Sequence, residues 1–157
     1  MFYGEPGENL VEFCLASDEM ECITSAWSRL EITRAVRKRL NQGELSQDES
    51  RDLLEFIDTQ LDRLARRKHL LECPVTESLV GRACELVMTH NLCASDAVHL
   101  ATAVAYECRG VFVDDYHFNR LGLLFSGHLC ICSISLRADE LMRKLKQVSM
   151  GSAELQE

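Results

Sequence analysis

The sequence lacks the features that direct a chain to a membrane. No run of apolar residues approaches the roughly 18 residues that a membrane-spanning helix needs. The N-terminus has no basic segment followed by an apolar one, so it does not resemble a secretory signal peptide. We therefore expect a cytoplasmic protein without a membrane partner.

The sequence also lacks the cysteine spacing of a structural zinc site. There are eight cysteines, but none forms a CxxC pair, and the nearest pair is the CxC of "LCICS". Zinc ligands usually come in pairs two to four residues apart. Most of the cysteines lie in apolar segments, where a free thiol behaves as a small hydrophobe. We expect reduced core thiols, with Cys130 and Cys132 as an alternative oxidation-sensitive pair.

An overall excess of positive charge is absent as well. The net charge is −8, which argues against a protein that coats nucleic acid. The charge is uneven, because residues 26–68 carry 10 Lys and Arg against 8 Asp and Glu, leaving this segment at +2 and the remainder at −10. A locally basic arm permits a small nucleic-acid contact, and a solvated helical hairpin explains the same charges.

Repeats, linkers and low-complexity blocks are missing too, so we expect a single domain over residues 1–148 and a disordered polar tail over 149–157. Short apolar runs alternate with amphipathic segments along the chain. The strands expected are 21–25, 69–75, 110–115 and 128–135, and the helices 7–18, 26–43, 45–67, one following Thr76, one beginning at Ala94 or Ser95, and 136–148. The two later apolar runs are typical of strands covered on both faces. This pattern predicts an α/β domain with a parallel sheet.

The stretch "CASDAVHLA" places a carboxylate in the first turn of an otherwise apolar helix. Burying an unpaired carboxylate is costly, so Asp96 needs a partner, a metal or an exit to water. Glu31 lies on the helix after the first predicted strand, and Asp114 and Asp115 close the strand "GVFVDD". Ligands gather at the carboxyl ends of parallel strands. Asp96 joins these acids only if its helix start is folded over the same edge.

Carboxylates grouped in this way predict a divalent cation. Two carboxylates ~4 Å apart repel by about 4 kcal/mol at an effective dielectric constant near 20. Their proximity is tolerable if one is protonated or a cation lies between them. Mg²⁺ and Mn²⁺ prefer oxygen ligands and keep several waters, which suits phosphate chemistry with an activated water.

Three segments carry a resemblance to a known family. "ITSAWSRLEITRAVRKRL" resembles the strand–Ser–helix–Glu element of PIN-domain ribonucleases, the family that includes VapC-type toxins. "LCASDAVHLATAVAYE" is similar to the Asp-x-x-His-Leu-Ala helix of that family, its most specific motif. "VFVDDYHFNRLGL" resembles the strand followed by Asp-x-x-Phe. The similarity extends from about residue 3 to residue 135 and implies a PIN-like three-layer α/β/α fold with strand order 3-2-1-4-5.

The resemblance implies hydrolysis of single-stranded RNA by a site that holds Mg²⁺ or Mn²⁺. Carried over to this chain, the catalytic and metal-binding acids are Glu31, Asp96 and Asp115, with Asp114 as a neighbouring ligand. Ser25 is implied as a supporting polar group and His99 as a mainly structural one. The basic residues near Glu31, which we expect to attract an RNA backbone or to form a solvated helix face, are Arg34, Arg37, Lys38 and Arg39.

One part of the family pattern has no counterpart in this sequence. PIN domains begin with a strand that ends in an aspartate, whereas "MFYGEPGENL" matches the segment after that strand. Without it, the site has three acids where the family has four, and the sheet lacks its middle strand. We expect two half-sheets with unpaired edges unless something fills the gap.

Three explanations of this difference stay open. The sequence begins at an internal methionine of a longer protein, or the protein is a shortened, inactive relative whose gap is closed by rearranged strands or by a partner chain. Alternatively, another acid substitutes, and Glu5 and Glu8 are the nearest in sequence.

The leading functional hypothesis is a PIN-class ribonuclease acting as the toxin of a toxin–antitoxin pair, commonly a homodimer neutralised by a small antitoxin protein. The alternative is a catalytically inactive PIN-like protein that binds RNA or protein. A hydrolase that uses Cys and His is a weak third hypothesis, since no cysteine lies at a predicted helix start beside an evident basic partner.

Overall fold

Six helices and four strands make up the part of the chain that the computed structural model describes, residues 7–113, 129–133 and 137–151. In chain order the elements are α1 Glu8–Ala16, β1 Cys22–Ser25, α2 Trp27–Asn41, α3 Gln47–Arg66, β2 Leu70–Cys73, α4 Glu77–His90, α5 Ala94–Ala105, β3 Gly110–Val113, β4 Cys130–Ser133 and α6 Ala138–Gly151. The chain is therefore a mixed α/β structure, mostly helical, as the alternating pattern predicts.

The four strands form two separate parallel pairs. β1 pairs with β2 from Cys22↔Leu70 to Ser25↔Cys73, and β3 pairs with β4 from Gly110↔Cys130 to Val113↔Ser133. Within the described residues no ladder joins the two pairs into one sheet. Two pairs agree with the expected half-sheets, while the PIN-like three-layer fold and the strand order 3-2-1-4-5 stay predictions.

Local signals explain where two of the long helices begin. The Ser46 hydroxyl accepts a hydrogen bond from the Glu49 amide at 3.2 Å, and the Glu49 carboxylate accepts one from the Ser46 amide at 2.8 Å. This capping box satisfies two amides that would otherwise lack an intrahelical partner. The Thr76 hydroxyl caps α4 in the same way through the Leu79 amide.

The largest apolar cluster surrounds α5, and we call it the α5 cluster. Its buried members are Leu79, Ala83, Leu92, Ala97, Val98, Leu100, Ala101, Ala103 and Leu129. Small residues on α5 let α4 lie close against it, since alanine adds little width to a helix face. This packing fixes the position of α5, and with it the acidic first turn.

A second cluster, the α6 cluster, lies on the other side of β3 and β4. Its buried members are Leu10 and Cys14 of α1, Cys132 of β4, and Leu141 and Leu145 of α6. Along β4 the side chains alternate between the clusters, with Ile131 packed against the α5 cluster and Cys132 inside the α6 cluster. Helices therefore cover both faces of this strand pair, which agrees with its continuous apolar sequence.

The last helix is longer than the sequence pattern predicts. Residues 149–151, expected to open a disordered tail, are the final residues of α6, and residues 152–157 lie outside the described part of the chain. The structure thus differs from the expected boundary only over residues 149–151, and the expectation for residues 152–157 stays a prediction.

None of the helices in the described ranges combines the length and apolarity that crossing a bilayer requires.

Candidate active site

The polar residues of the candidate site begin where β1 ends. Ser25 is the last residue of β1 and is fully buried. The Ala26 amide donates to the carbonyl of Cys73 at 2.8 Å, which extends the ladder by one bond before α2 starts at Trp27. Glu31 lies in the second turn of α2 and hence near the carboxyl end of β1, as the sequence predicts.

The first turn of α5 is folded over this same edge. The Ser95 hydroxyl donates a hydrogen bond to Oε1 of Glu31, and the Trp27 indole N–H donates to the Ser95 hydroxyl at 3.2 Å. These contacts span more than sixty residues of sequence. The start of α5 therefore lies near Glu31, and the grouping of Asp96 with Asp114 and Asp115 stays a prediction.

His99 connects the carboxylate of Glu31 to the end of β1. Its Nε2 lies 2.6 Å from Oε2 of Glu31, and its Nδ1 lies 3.3 Å from the Ser25 hydroxyl. An ionised carboxylate only accepts hydrogen bonds, so Nε2 carries the proton, and in the neutral ring Nδ1 accepts from Ser25. His99 therefore holds Glu31 in place, which agrees with the structural role implied by the resemblance.

The electrostatics of Glu31 reflect these partners. Partial burial by itself raises the pKa of a carboxyl group. The hydrogen bonds from Ser95 and His99, with the nearby charge of Arg34, outweigh burial and lower the pKa of Glu31 below its ordinary value. Glu31 is therefore ionised across the neutral range and offers an anionic oxygen ligand.

Asp96 is half-buried at the start of α5 and takes part in the cap of that helix. The Cys93 thiol donates to Oδ2 of Asp96 at 3.0 Å, and the Asp96 amide donates to the Cys93 sulfur at 3.4 Å. Partial burial and the bond to Asp96 raise the pKa of the Cys93 thiol. Although Cys93 does stand at a helix N-terminus, it is therefore not an activated nucleophile.

The candidate site offers ligands of the type that Mg²⁺ and Mn²⁺ prefer, but fewer than three of them lie among the described residues. Carboxylate oxygens of Glu31 and Asp96 are the ligand type that Mg²⁺ and Mn²⁺ prefer. Across residues 7–113, 129–133 and 137–151, no group of three or more His, Cys, Asp or Glu side chains is arranged to hold a metal ion. Asp114 and Asp115, the other predicted ligands, lie outside the described residues, and so does Glu5; Glu8 begins α1.

The basic residues predicted to contact RNA lie along α2, and most of them are exposed. Arg34, Arg37 and Lys38 are exposed, whereas Arg39 is half-buried and pairs with Glu44 at 3.3 Å. Sequence reasoning did not single out Arg29, another cation of this helix. It contacts Glu72 and Asp58 at 2.8 and 2.7 Å and thereby ties α2 to β2 and α3.

The cysteines are all free thiols in the structure. Cys14, Cys73 and Cys132 are buried, as expected of core thiols, but Cys84 and Cys93 are exposed. The sulfurs of Cys130 and Cys132 lie 3.4 Å apart. Burial and the bond to Cys130 raise the pKa of the Cys132 thiol to about 12, so its reactive thiolate form is scarce near neutral pH.

Two residues that the sequence did not single out complete the geometry, Ser95 and Trp27. Ser95 directly precedes Asp96, and Trp27 lies just after the end of β1. Ser95 could have been identified from the sequence, because its hydroxyl directly precedes the predicted acid Asp96 in the first turn of a helix. Nothing in the local sequence pairs Trp27 with a residue 68 positions later.

The chain was compared with family models, with curated proteins and with solved structures, and none of them matches.

Proposed function

We propose that this protein is a metal-dependent endoribonuclease of the PIN class, a VapC-type toxin that cleaves single-stranded RNA. In this proposal Glu31, Asp96 and Asp115 are the catalytic and metal-binding acids, and Asp114 is a further ligand. The substrate class, the homodimer and the small antitoxin that go with it are proposals that rest on the resemblance of the three motifs.

The observation that carries the proposal is the meeting of α2 and α5 at the end of β1. Glu31 and the Ser95–Asp96 turn come from segments 64 residues apart, yet Ser95 donates directly to Glu31. An acidic first turn also stabilises a helix N-terminus, but the bond from Ser95 to Glu31 does more, because it joins α5 to α2. Two acids at the carboxyl end of a parallel strand are typical of a ligand site.

Each polar side chain has a definite task in this proposal. Ser95 and His99 fix the carboxylate of Glu31 in one orientation, and Ser25 fixes the His99 ring. Exposed cations on α2, Arg34, Arg37 and Lys38, raise the local concentration of an RNA backbone. A bound Mg²⁺ or Mn²⁺ supplies an activated water and offsets negative charge on the phosphate.

A non-catalytic binding protein is the second candidate, and a specific observation favours it. Both oxygens of Glu31 already accept hydrogen bonds, one from Ser95 and one from His99. Each carboxylate oxygen keeps a second lone pair, but the hydrogen bond already made restricts the direction from which a metal can approach it. If no metal binds there, Glu31 is a structural residue, and the exposed cations of α2 bind RNA without cleavage.

Thermal unfolding with and without Mn²⁺ separates the two candidates. A ligand that binds only the folded state stabilises it by about 2.7 kcal/mol at 100 times its Kd. We expect millimolar Mn²⁺ to raise the Tm of the wild type by several degrees and to raise that of Asp96→Asn much less. Asp52→Asn is the matched control, because Asp52 is an exposed aspartate of α3, and its metal response should equal that of the wild type.

Equal responses of all three proteins, or none at all, would count against the nuclease. In that case RNA binding without cleavage, measured at two salt concentrations, is the expected property of the second candidate.

A further inference from the structure

The outer edges of β1 and β3 line the same cavity. Its volume is about 740 Å³, and its wall includes all four residues of β1 and Gly110, Val111 and Phe112 of β3. Each strand has a partner on one side only, β2 or β4, within the described part of the chain. The cavity is therefore bounded by strands of both pairs, and Leu70 and Glu72 of β2 also line it.

The backbone of β1 directs alternate residues into this cavity. The amides of Cys22 and Ala26 donate to the carbonyls of His69 and Cys73, so the even-numbered residues bond toward β2. Because the N–H and C=O of one strand residue point to the same side, Ile23 and Ser25 present theirs to the opposite side. Both residues are among those that line the cavity.

In β3, alternate residues likewise point their backbone N–H and C=O groups away from the paired strand. The Cys130 amide donates to the carbonyl of Arg109 at 2.9 Å, so the odd-numbered residues of this segment bond toward β4. Gly110 and Phe112 therefore turn their N–H and C=O groups away from β4. Unpaired backbone groups on an accessible strand edge are a template for another strand.

The space between the two edges is shaped for apolar side chains. Val11 and Leu15 of α1 and Ala103 of α5 line this space. Phe112 and Tyr106, which also line it, are 37% and 39% exposed although both are large. A strand placed here has helices nearby and needs apolar residues.

The charged residues before β1 and β3 indicate what kind of segment the cavity binds. Glu19 and Glu21 precede β1, while Glu107 and Arg109 precede β3, and all four line the cavity. Three carboxylates against one guanidinium favour a basic segment at that entrance. This acidic entrance disfavours a second copy of the chain, whose net charge is −8, so the proposed homodimer would use another surface.

We propose that this slot binds an extended apolar segment of a different polypeptide, preceded by Lys or Arg, which completes the sheet between β1 and β3. Four-residue strands on both walls set the length of the paired part to about four or five residues. Main-chain hydrogen bonds supply affinity in this mode, and alternate side chains supply specificity. The inference goes beyond the proposed nuclease function and holds whether or not the chain cleaves RNA.

Amide hydrogen exchange followed by NMR tests the proposal at single residues. The probe is a synthetic peptide, Lys-Lys-Val-Ile-Val-Val-Val, and the control is the same sequence N-methylated along the apolar part, which removes its donors. With the parent peptide, we expect exchange of the Ile23 and Phe112 amides to slow by at least tenfold. The Thr24 and Val111 amides, which face β2 and β4, should be protected with or without the peptide.

A pair of charge reversals tests the acidic entrance. Glu21→Lys changes an exposed residue of the cavity, and Glu85→Lys makes the same change on an exposed residue of α4 away from it. We expect Glu21→Lys to weaken the binding of the peptide by roughly three- to tenfold. Glu85→Lys should have a smaller effect, limited to the change in net charge.

Three results would overturn the proposal. In one, the N-methylated peptide protects the amides as well as the parent does. In another, the Ile23 and Phe112 amides are already protected in the dilute free chain, so a segment of the chain itself fills the slot. In the last, their protection rises with protein concentration together with dimer formation, so the occupant is a second copy.

Discussion

The two strand pairs have the same backbone but different surroundings. Each is a parallel pair of four-residue strands in an unbroken register. The β1–β2 pair ends in a polar network, in which Ser25, Glu31 and His99 are joined by hydrogen bonds. The β3–β4 pair lies between two apolar clusters, with Ile131 packed against one and Cys132 inside the other.

This difference shows that the polar side chains near a strand end come mainly from the helices packed there. α5 packs against both pairs, but the polar side chains at its start, Ser95 and His99, bond to α2 and to the end of β1. The β1–β2 side therefore carries the candidate site. Within the described residues, the β3–β4 pair is packed between the two apolar clusters.

The largest expected effects are in the two apolar clusters. Leu100 and Leu141 are both fully buried, one in the α5 cluster and one in the α6 cluster. We expect Leu100→Ala to lower the free energy of unfolding by about 4 kcal/mol and Leu141→Ala by about 3 kcal/mol. The smaller cluster has fewer fixed neighbours and can relax further into the space left behind. Urea unfolding measures both, and a larger loss for Leu141→Ala would reverse the ranking.

A glycine in β3 provides a second comparison, with a glycine on the surface. A Cβ at Gly110 would lie 2.9 Å from Cδ2 of Leu145, whereas a Cβ at Gly81 of α4 would meet nothing within 4 Å. We expect Gly110→Ala to destabilise by about 1 kcal/mol, since the Leu145 side chain must shift. Gly81→Ala should stabilise by about 0.5–1 kcal/mol through helix propensity. A shift of the Tm in the same direction for both variants would contradict the close contact between Gly110 of β3 and Leu145 of α6.

The polar end of β1 is tested by a pair of buried serines. Ser25→Ala removes the hydroxyl beside Nδ1 of His99 and should cost about 1 kcal/mol, because a half-buried ring nitrogen loses its partner. Ser50→Ala removes a hydroxyl that bonds within α3, to the carbonyl of Ser46. That change should be close to neutral, because alanine is the better helix former. Chemical denaturation of both variants measures the difference.

The smallest expected effect is a pH dependence that comes from Glu31. Its pKa is lowered in the folded protein, so its ionised form stabilises the fold above the unfolded pKa of about 4.3. This stabilisation is lost as the pH falls through the lowered folded value. The difference in unfolding free energy between the wild type and Glu31→Gln should therefore be constant from pH 7 to about 5 and shrink toward pH 3. A difference that stays constant down to pH 3 would contradict the network.

Much of the local structure can be predicted from the sequence. The capping box at Ser46 and Glu49 and the cap at Thr76 are where the pattern predicts them. All four strands lie within the predicted apolar runs, and the start of α5 is at Ala94. These features depend on near neighbours in the sequence, which is why local reasoning finds them.

Contacts between distant segments were not predictable in the same way. The bonds from Trp27 to Ser95 and from Arg29 to Glu72 join separate elements, and they exist only once α5 and β2 have packed. The role of Cys93 as the cap of α5 depends on a backbone geometry that no sequence period reveals. The prediction of Asp115 as a metal ligand stays a prediction.

Cleavage of a single-stranded RNA in the presence of Mn²⁺ tests the central claim most directly. That claim is that Glu31 and the Asp96 turn of α5 form a metal-dependent site at the end of β1. We expect the wild type and the surface control Asp52→Asn to cleave, Asp96→Asn to lose cleavage while keeping its fold, and EDTA to abolish cleavage in every case. Undiminished cleavage by folded Asp96→Asn, or cleavage that continues in EDTA, would contradict the account.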